Sequence, residues 1–160
     1  EIIGELEDSK KNLYTDNCIL NSVLNIKYSA AQVADIKIES NIFVPKYMNI
    51  DYGDMGVLFG NLLDNAIEAN QGVDRKKRWI NVSVKYEEHI LIINIKNSKI
   101  RGSRRKKKGY LNHGIGLNSV KQIVEKFNGI VEVQDFGEMY EVSAILYGIC
   151  DDKDLGKSVL

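Results

Sequence analysis

Apolar residues recur along this chain with two periods, and the points where the period changes divide it into elements. Between Asp16 and Val33 the residues Ile19, Leu20, Val23, Leu24 and Ile26 share one helical face, and Thr15 and Asp16 ahead of them are residue types that cap a helix N-terminus. Ile36-Lys37-Ile38-Glu39-Ser40-Asn41-Ile42 alternates as a half-buried strand does, and the only proline, Pro45, follows it. From Asp51 to Asn70 the helical period returns through Met55, Leu58, Leu62, Leu63, Ala66 and Ile67. Trp79 to Tyr86 and Ile90 to Ile95 read as antiparallel strands joined by Glu87-Glu88-His89. Residues Asn97 to Asn112 carry no apolar period and predict a long loop. A helix over Leu117 to Phe127 is closed by Asn128-Gly129, and strands over Ile130 to Gln134 and Tyr140 to Tyr147 come last.

This order of elements predicts an α/β two-layer sandwich, a mixed sheet with helices on one face. Its domain is placed at residues 15–150. Ile2, Ile3, Leu6 and Leu13 among charges suit the end of a helix that begins outside this sequence, so residues 1–14 are assigned to that helix. Residues 151–160 form a charged, frayed tail.

At 160 residues, 44% of them apolar, the chain can bury one core. The formal charge of zero hides a local excess, because seven of the eleven residues from Lys99 to Gly109 are basic. This run lacks interleaved aromatic residues for stacking on bases, and the rest of the chain is not basic, which argues against nucleic acid. Cys18 and Cys150 are too few and too far apart for a disulfide framework or a metal set, and both read as buried thiols of a reducing compartment. No apolar run is long enough to span a bilayer, so direct membrane contact is not expected of these residues.

Four features could carry chemistry. In Asn61-Leu62-Leu63-Asp64-Asn65-Ala66-Ile67-Glu68-Ala69 the polar residues Asn61, Asn65 and Glu68 share a helix face while the aliphatic ones face the core. Two asparagines within one helical turn are unfavourable, and Mg²⁺, which needs only one or two protein oxygens beside phosphate and water, supplies a reason for them. A solvated polar face is the plainer reading. His113-Gly114-Ile115-Gly116-Leu117 stands directly before the predicted helix, where free N–H groups and the helix dipole suit a phosphate, although a Gly-x-Gly here also serves as a tight turn. The basic loop, with Lys107 and Lys108, is either a lid over polyphosphate or a solvated loop. Asn97 at a strand exit is able to read a purine edge through its amide, or is an ordinary turn residue.

Together and in this order the motifs resemble the Bergerat-type ATP-binding fold of the GHKL superfamily, shared by histidine kinases, type II topoisomerases, heat-shock chaperones and MutL proteins. The asparagine helix resembles the N box, Asn97 stands where an adenine-reading aspartate is expected, and His113-Gly114-Ile115-Gly116-Leu117 resembles the glycine box. The resemblance covers residues 15–148. Asn97, together with Thr15-Asp16-Asn17, Leu24-Asn25-Ile26-Lys27 and Ala30 or Ala31, resembles the quorum- and peptide-sensing kinases of the AgrC/VirS type. It implies the catalytic domain of a cytoplasmic kinase region that binds ATP and Mg²⁺. Asn65 would hold Mg²⁺ and Asn61 would lie beside the phosphates. Asn97 would contact adenine, Gly114 and Gly116 would meet the phosphate chain within the segment from His113 through Ile115 to Leu117, and Lys107 or Lys108 would neutralise charge. The γ-phosphate would pass to a histidine on the dimerisation helix of a homodimeric kinase, then to a response regulator.

Departures from the pattern sharpen the expectation. Ser98, Lys99 and Ile100 stand where glycines usually follow the adenine reader, which implies a looser adenine floor and weak ATP affinity. Glu68 and Ala69 replace a basic and an aromatic residue. Asn61 replaces the glutamate of hydrolysing relatives, and an amide is no general base, which argues against a chaperone-type ATPase and, with Asn97, against an anti-sigma kinase. His89 and His113 lie in a hairpin and in the glycine box, so no phosphoacceptor is present and this stretch alone should not autophosphorylate. The competing reading is a non-catalytic interaction module of the same fold with a degenerate nucleotide site.

Overall fold

The computed structural model describes residues 12–102 and 110–155, with backbone alone at 110–115, 154 and 155. Its elements are α1 (Cys18–Val33), β1 (Lys37–Phe43), α2 (Tyr52–Ala69), a 3-10 turn at Arg75–Lys77, β2 (Trp79–Glu87), β3 (Ile90–Ser98), α3 (Tyr110–Glu125), β4 (Ile130–Asp135), β5 (Met139–Tyr147) and α4 (Asp152–Leu155). The strands lie in the order β1-β2-β3-β5-β4. β1 runs parallel to β2 and every other pairing is antiparallel, so the sheet is mixed, as the pattern of elements predicts. The parallel pair needs a crossover, which α2 supplies.

Strict alternation gives the sheet one apolar face. Ile80, Val82 and Val84 of β2, Leu91, Ile93 and Ile95 of β3, and Val142, Ala144 and Leu146 of β5 are all buried. α2 lies centrally over that face, in contact with α1, α3 and β3. It buries Met55, Leu58, Phe59, Leu62, Leu63 and Ala66. Each large side chain among them contributes about 1.5–3 kcal/mol by leaving water. Asp51 caps this helix, its Oδ1 accepting from the Gly53 N–H at 2.8 Å and the Asp54 N–H at 3.3 Å.

Several boundaries differ from the sequence reading, each for a local reason. The cap of α1 is Asn17, whose Oδ1 accepts from the Leu20 N–H at 3.1 Å. Thr15 instead supports the cap by accepting from the Asn17 N–H at 3.2 Å. The β2–β3 connection is a two-residue turn, Glu88 and His89, both at positive φ as a primed hairpin turn requires. β3 continues to Ser98 because β2 flanks it on one side and β5 on the other, so that Asn97 pairs with both Ile80 and Tyr140. α3 begins at Tyr110 rather than Leu117. No proline lies between them, and each residue added to a formed helix gains a hydrogen bond.

The thiols are not buried: Cys18 is exposed and Cys150 half-buried. A short helix, α4, occupies the start of the predicted frayed tail, and residues 156–160 lie outside the described residues. Of the segment assigned to an entering helix, residues 1–11 also lie outside them. Asn12 is clamped to α1 instead, its N–H donating to Asn25 Oδ1 at 3.0 Å while Asn25 Nδ2 donates to the Asn12 carbonyl at 2.9 Å. Tyr14 is held the same way by Asn21 Oδ1, at 2.8 Å, so the chain runs antiparallel alongside α1 before turning into it.

Candidate functional site

Of the predicted site residues, the structure joins Asn61 of α2 to Gly116 of α3. Asn61 Nδ2 donates to the Gly116 carbonyl of α3 at 3.4 Å, which joins the asparagine helix to the glycine motif. One turn later, Asn65 Nδ2 is the one buried side-chain nitrogen or oxygen without a hydrogen-bond partner among the described residues. Such a donor costs about 1–3 kcal/mol unless a ligand or a water meets it. Asn97 is 2% exposed, on the helix-covered face at the end of β3. Its Nδ2 donates to the Ser98 carbonyl at 3.0 Å.

The glycine motif is placed otherwise than predicted. His113, Gly114, Ile115, Gly116 and Leu117 lie inside α3, not ahead of it, so the glycines do not open this helix. A Cβ on Gly116 would stand 3.9 Å from Asn61 Cβ, an ordinary contact. Packing therefore does not require glycine there. Lys107 and Lys108 lie outside the described residues.

Ser98 and Lys99, which follow Asn97, are anchored through their own groups. Ser98 Oγ donates to Asn70 Oδ1 and accepts from the Trp79 N–H, the latter at 3.0 Å. The Lys99 N–H donates to the Glu138 carbonyl at 2.9 Å, and its ammonium pairs with Asp135. That pairing, helped by the Gly137 N–H, holds the Asp135 carboxyl below its usual pKa. The stability it contributes is therefore present above the ordinary carboxylate range and lost as pH falls through the lowered value. Ile100 packs on Gly72, its Cδ1 standing where a Cβ on that residue would be. Here side chains perform the anchoring that glycines would not.

Two further features escaped the sequence reading. Lys27 of α1 crosses α2 over Gly60 and pairs with Asp64 at 2.7 Å. Beside this pair a groove of about 480 Å³ runs between α1 and α2, lined by Val23, Ile26, Val57 and the glycines Gly53 and Gly56, with Asn61 also in its wall. Its signal was the recurrence of Gly53, Gly56 and Gly60 within an otherwise good helix, where glycine is unfavourable.

The family model described as "GHKL domain" matches residues 50–146, from the cap of α2 through β5. The chain belongs to this family. A curated relative, the "Probable C4-dicarboxylate sensor kinase" of Bacillus subtilis (strain 168), is 32% identical over 95 residues. The match takes in 53% of this chain but only 18% of that relative. Among solved structures the GHKL domain is similar to the catalytic domain of histidine kinase ThkA, with a TM-score of 0.64 at 15% identity, covering 82% of this chain and 91% of that one. A mycobacterial sensor histidine kinase, MprB, gives a TM-score of 0.61 at 17% identity, covering 81% of this chain and 93% of that one. Full-length ShkA, solved in complex with AMPPNP, gives 0.63 at 13% identity, covering 86% of this chain and 31% of ShkA. At these identities the likeness is one of fold: the GHKL domain has the α/β architecture of histidine kinase catalytic domains.

The donor set suits Mg-ATP. No group of three or more His, Cys, Asp or Glu able to cage a metal occurs among the described residues. A Mg²⁺ ion that keeps its water and phosphate ligands needs only the neutral oxygen of an amide such as Asn65. No helix among the described residues is long and apolar enough to cross a membrane.

Proposed function

We propose that this GHKL domain is the ATP-binding catalytic domain of a sensor histidine kinase, and that it binds Mg-ATP between α2, the end of β3 and the start of α3. The observation that carries this reading is the buried, unpartnered Nδ2 of Asn65, one turn from Asn61, which bonds the glycine motif of α3. When bound, Mg²⁺ supplies charge neutralisation at the β- and γ-phosphates. Asn65 would hold the ion through Oδ1, and Asn61 would lie against the phosphates. Asn97 would meet the adenine amino group. Gly114 and Gly116 would allow backbone to approach the phosphate chain, with His113, Ile115 and Leu117 framing them and Lys107 or Lys108 as charge partners. With an amide at 61 there is no base to activate water, so the chemistry is transfer to a histidine rather than hydrolysis.

Isothermal titration with a non-hydrolysable ATP analogue tests the reading. Saturable binding should weaken about tenfold on removal of Mg²⁺, and Asn65→Ala should reproduce that loss and abolish the Mg²⁺ dependence. No binding at millimolar nucleotide would favour the interaction module instead.

Asn61 is part of the wall of the groove between α1 and α2, whose glycines leave the α2 backbone open. That shape suits an apolar helix face, and we assign it to the phosphoacceptor helix of the homodimeric kinase, which would then serve a response regulator. In the full-length kinase, Val57→Glu should lower autophosphorylation about fivefold while ATP binding is unchanged, because Val57 lies 42% exposed on the groove and away from Asn65. Equal loss of both would remove the groove from this role. The order of motifs and Asn97 support kinship with the AgrC/VirS type, with the domain working on the cytoplasmic side of its sensor.

A further inference from the structure

An aspartate can only accept a hydrogen bond from a purine, but an asparagine is ambivalent. Turned one way it presents an acceptor, which suits the 6-amino group of adenine; turned the other way it presents a donor, which suits the 6-oxo group of guanine. A nucleotide site that reads its base through Asn97 therefore needs something else to fix the amide.

The structure supplies a chain of bonds that does so. Asn97 Nδ2 is engaged by the Ser98 carbonyl at 3.0 Å. That carbonyl belongs to the peptide whose N–H, on Lys99, donates to the Glu138 carbonyl at 2.9 Å. In a trans peptide the two groups point in opposite directions, so fixing the N–H fixes the carbonyl. Ser98 is held in turn by its side chain, which donates to Asn70 and accepts from Trp79. Asn70 is completely buried at the C-cap of α2. Its Nδ2 donates to the Ala66 carbonyl at 2.9 Å and reaches the Trp79 carbonyl at 3.4 Å. Ala66 directly follows Asn65. One buried amide thus ties the last turn of α2 to the first residue of β2 and the last residue of β3.

We infer that Asn70 and Ser98 are positioning residues that lock the Asn97 amide with Oδ1 outward, and so make the site selective for adenine over guanine nucleotides. The inference rests on the proposed nucleotide reading and adds to it the source of base selectivity. Neither residue touches the nucleotide; each acts through Asn97. Releasing the lock lets the amide rotate, which lowers the penalty for guanine more than it lowers the affinity for adenine.

The test is the ratio of dissociation constants for GDP and ADP, both with Mg²⁺, measured by titration calorimetry. The wild-type protein should favour ADP about tenfold or more, since a wrong base leaves two acceptors facing each other. Ser98→Ala and Asn70→Ala should bring the ratio to about threefold or less, and Ser98→Thr, which keeps the hydroxyl, should restore it. A general loosening of the fold would weaken both nucleotides alike and leave the ratio unchanged, and that result overturns the inference. Wild-type protein that binds neither nucleotide sinks the nucleotide reading and this inference with it, whereas wild-type binding with unaltered ratios in the variants sinks this inference alone. Should the alanine variants not fold, side-chain amide exchange in the wild type decides. The Asn97 NH₂ should exchange about tenfold or more slowly relative to the exposed Asn41 NH₂, and equal exchange at the two overturns the lock.

Discussion

Asn97→Asp, the substitution that restores the residue usual in related ATPases, is expected to lower the stability of this chain by about 3 kcal/mol at neutral pH. Asn97 is 2% exposed, and its Nδ2 donates to the Ser98 carbonyl. A carboxylate would turn an oxygen toward that carbonyl, losing the bond and setting two acceptors together in a buried place. The same two causes, burial and the facing carbonyl, raise the carboxyl pKa in the folded protein above its unfolded value of about 3.9. The sign follows. The unfolded state then gives up its proton first, so the cost is absent below about pH 4 and grows as pH rises toward the raised folded value. Urea denaturation of wild type and variant from pH 4 to pH 8 would show the gap in unfolding free energy opening with pH. A gap that is small and constant would mean that the Asn97 amide is not held by Ser98.

This case also shows which parts of the molecule its sequence made plain. Alternation in β2 and β5 and the helical stripe of α2 were legible because one face of each is buried against a continuous core, and burial writes itself as a period. Asn97 and Ser98 broke that reading. Both are polar, so they looked like loop, yet both are buried in strand, Asn97 donating to the Ser98 carbonyl and Ser98 finding a partner in Asn70, distant in sequence. A polar residue satisfied by a distant polar residue leaves no local pattern. The cap of α1 was misplaced for a related reason: Thr15, Asp16 and Asn17 can all cap, and only geometry selects the one whose oxygen reaches Leu20. That Asn61 and Asn65 share one helix was legible since helical spacing is itself the signal. The helical conformation of the glycines of α3 was not legible, because a glycine pair before an apolar run is compatible with both a turn and a helix.

That ambiguity has a measurable consequence at Gly116. In this structure Gly116 is helical and its carbonyl accepts from Asn61, while phosphate binding by this segment needs backbone N–H groups that an intact helix keeps for itself. A helix weakened by two glycines gives those groups up readily. Gly116→Ala should therefore act in opposite directions on the folded chain and on its ligand. The added Cβ meets Asn61 at 3.9 Å, without a clash, and the helix gains about 1 kcal/mol from the better helix former. The melting temperature should rise by about 2–4 °C. Binding must then undo a more stable helix and bring a side chain to where backbone meets phosphate. Costs of about 1 kcal/mol each amount to roughly thirtyfold weaker affinity for an ATP analogue. Calorimetry and thermal melts on the same preparation check both signs together. A rise in melting temperature with unchanged affinity would mean that the phosphates do not approach Gly116, and the glycine motif would then stand as an ordinary stretch of α3. A fall in both would mean that the segment does not rest as a helix, since only a helical Gly116 gains from alanine.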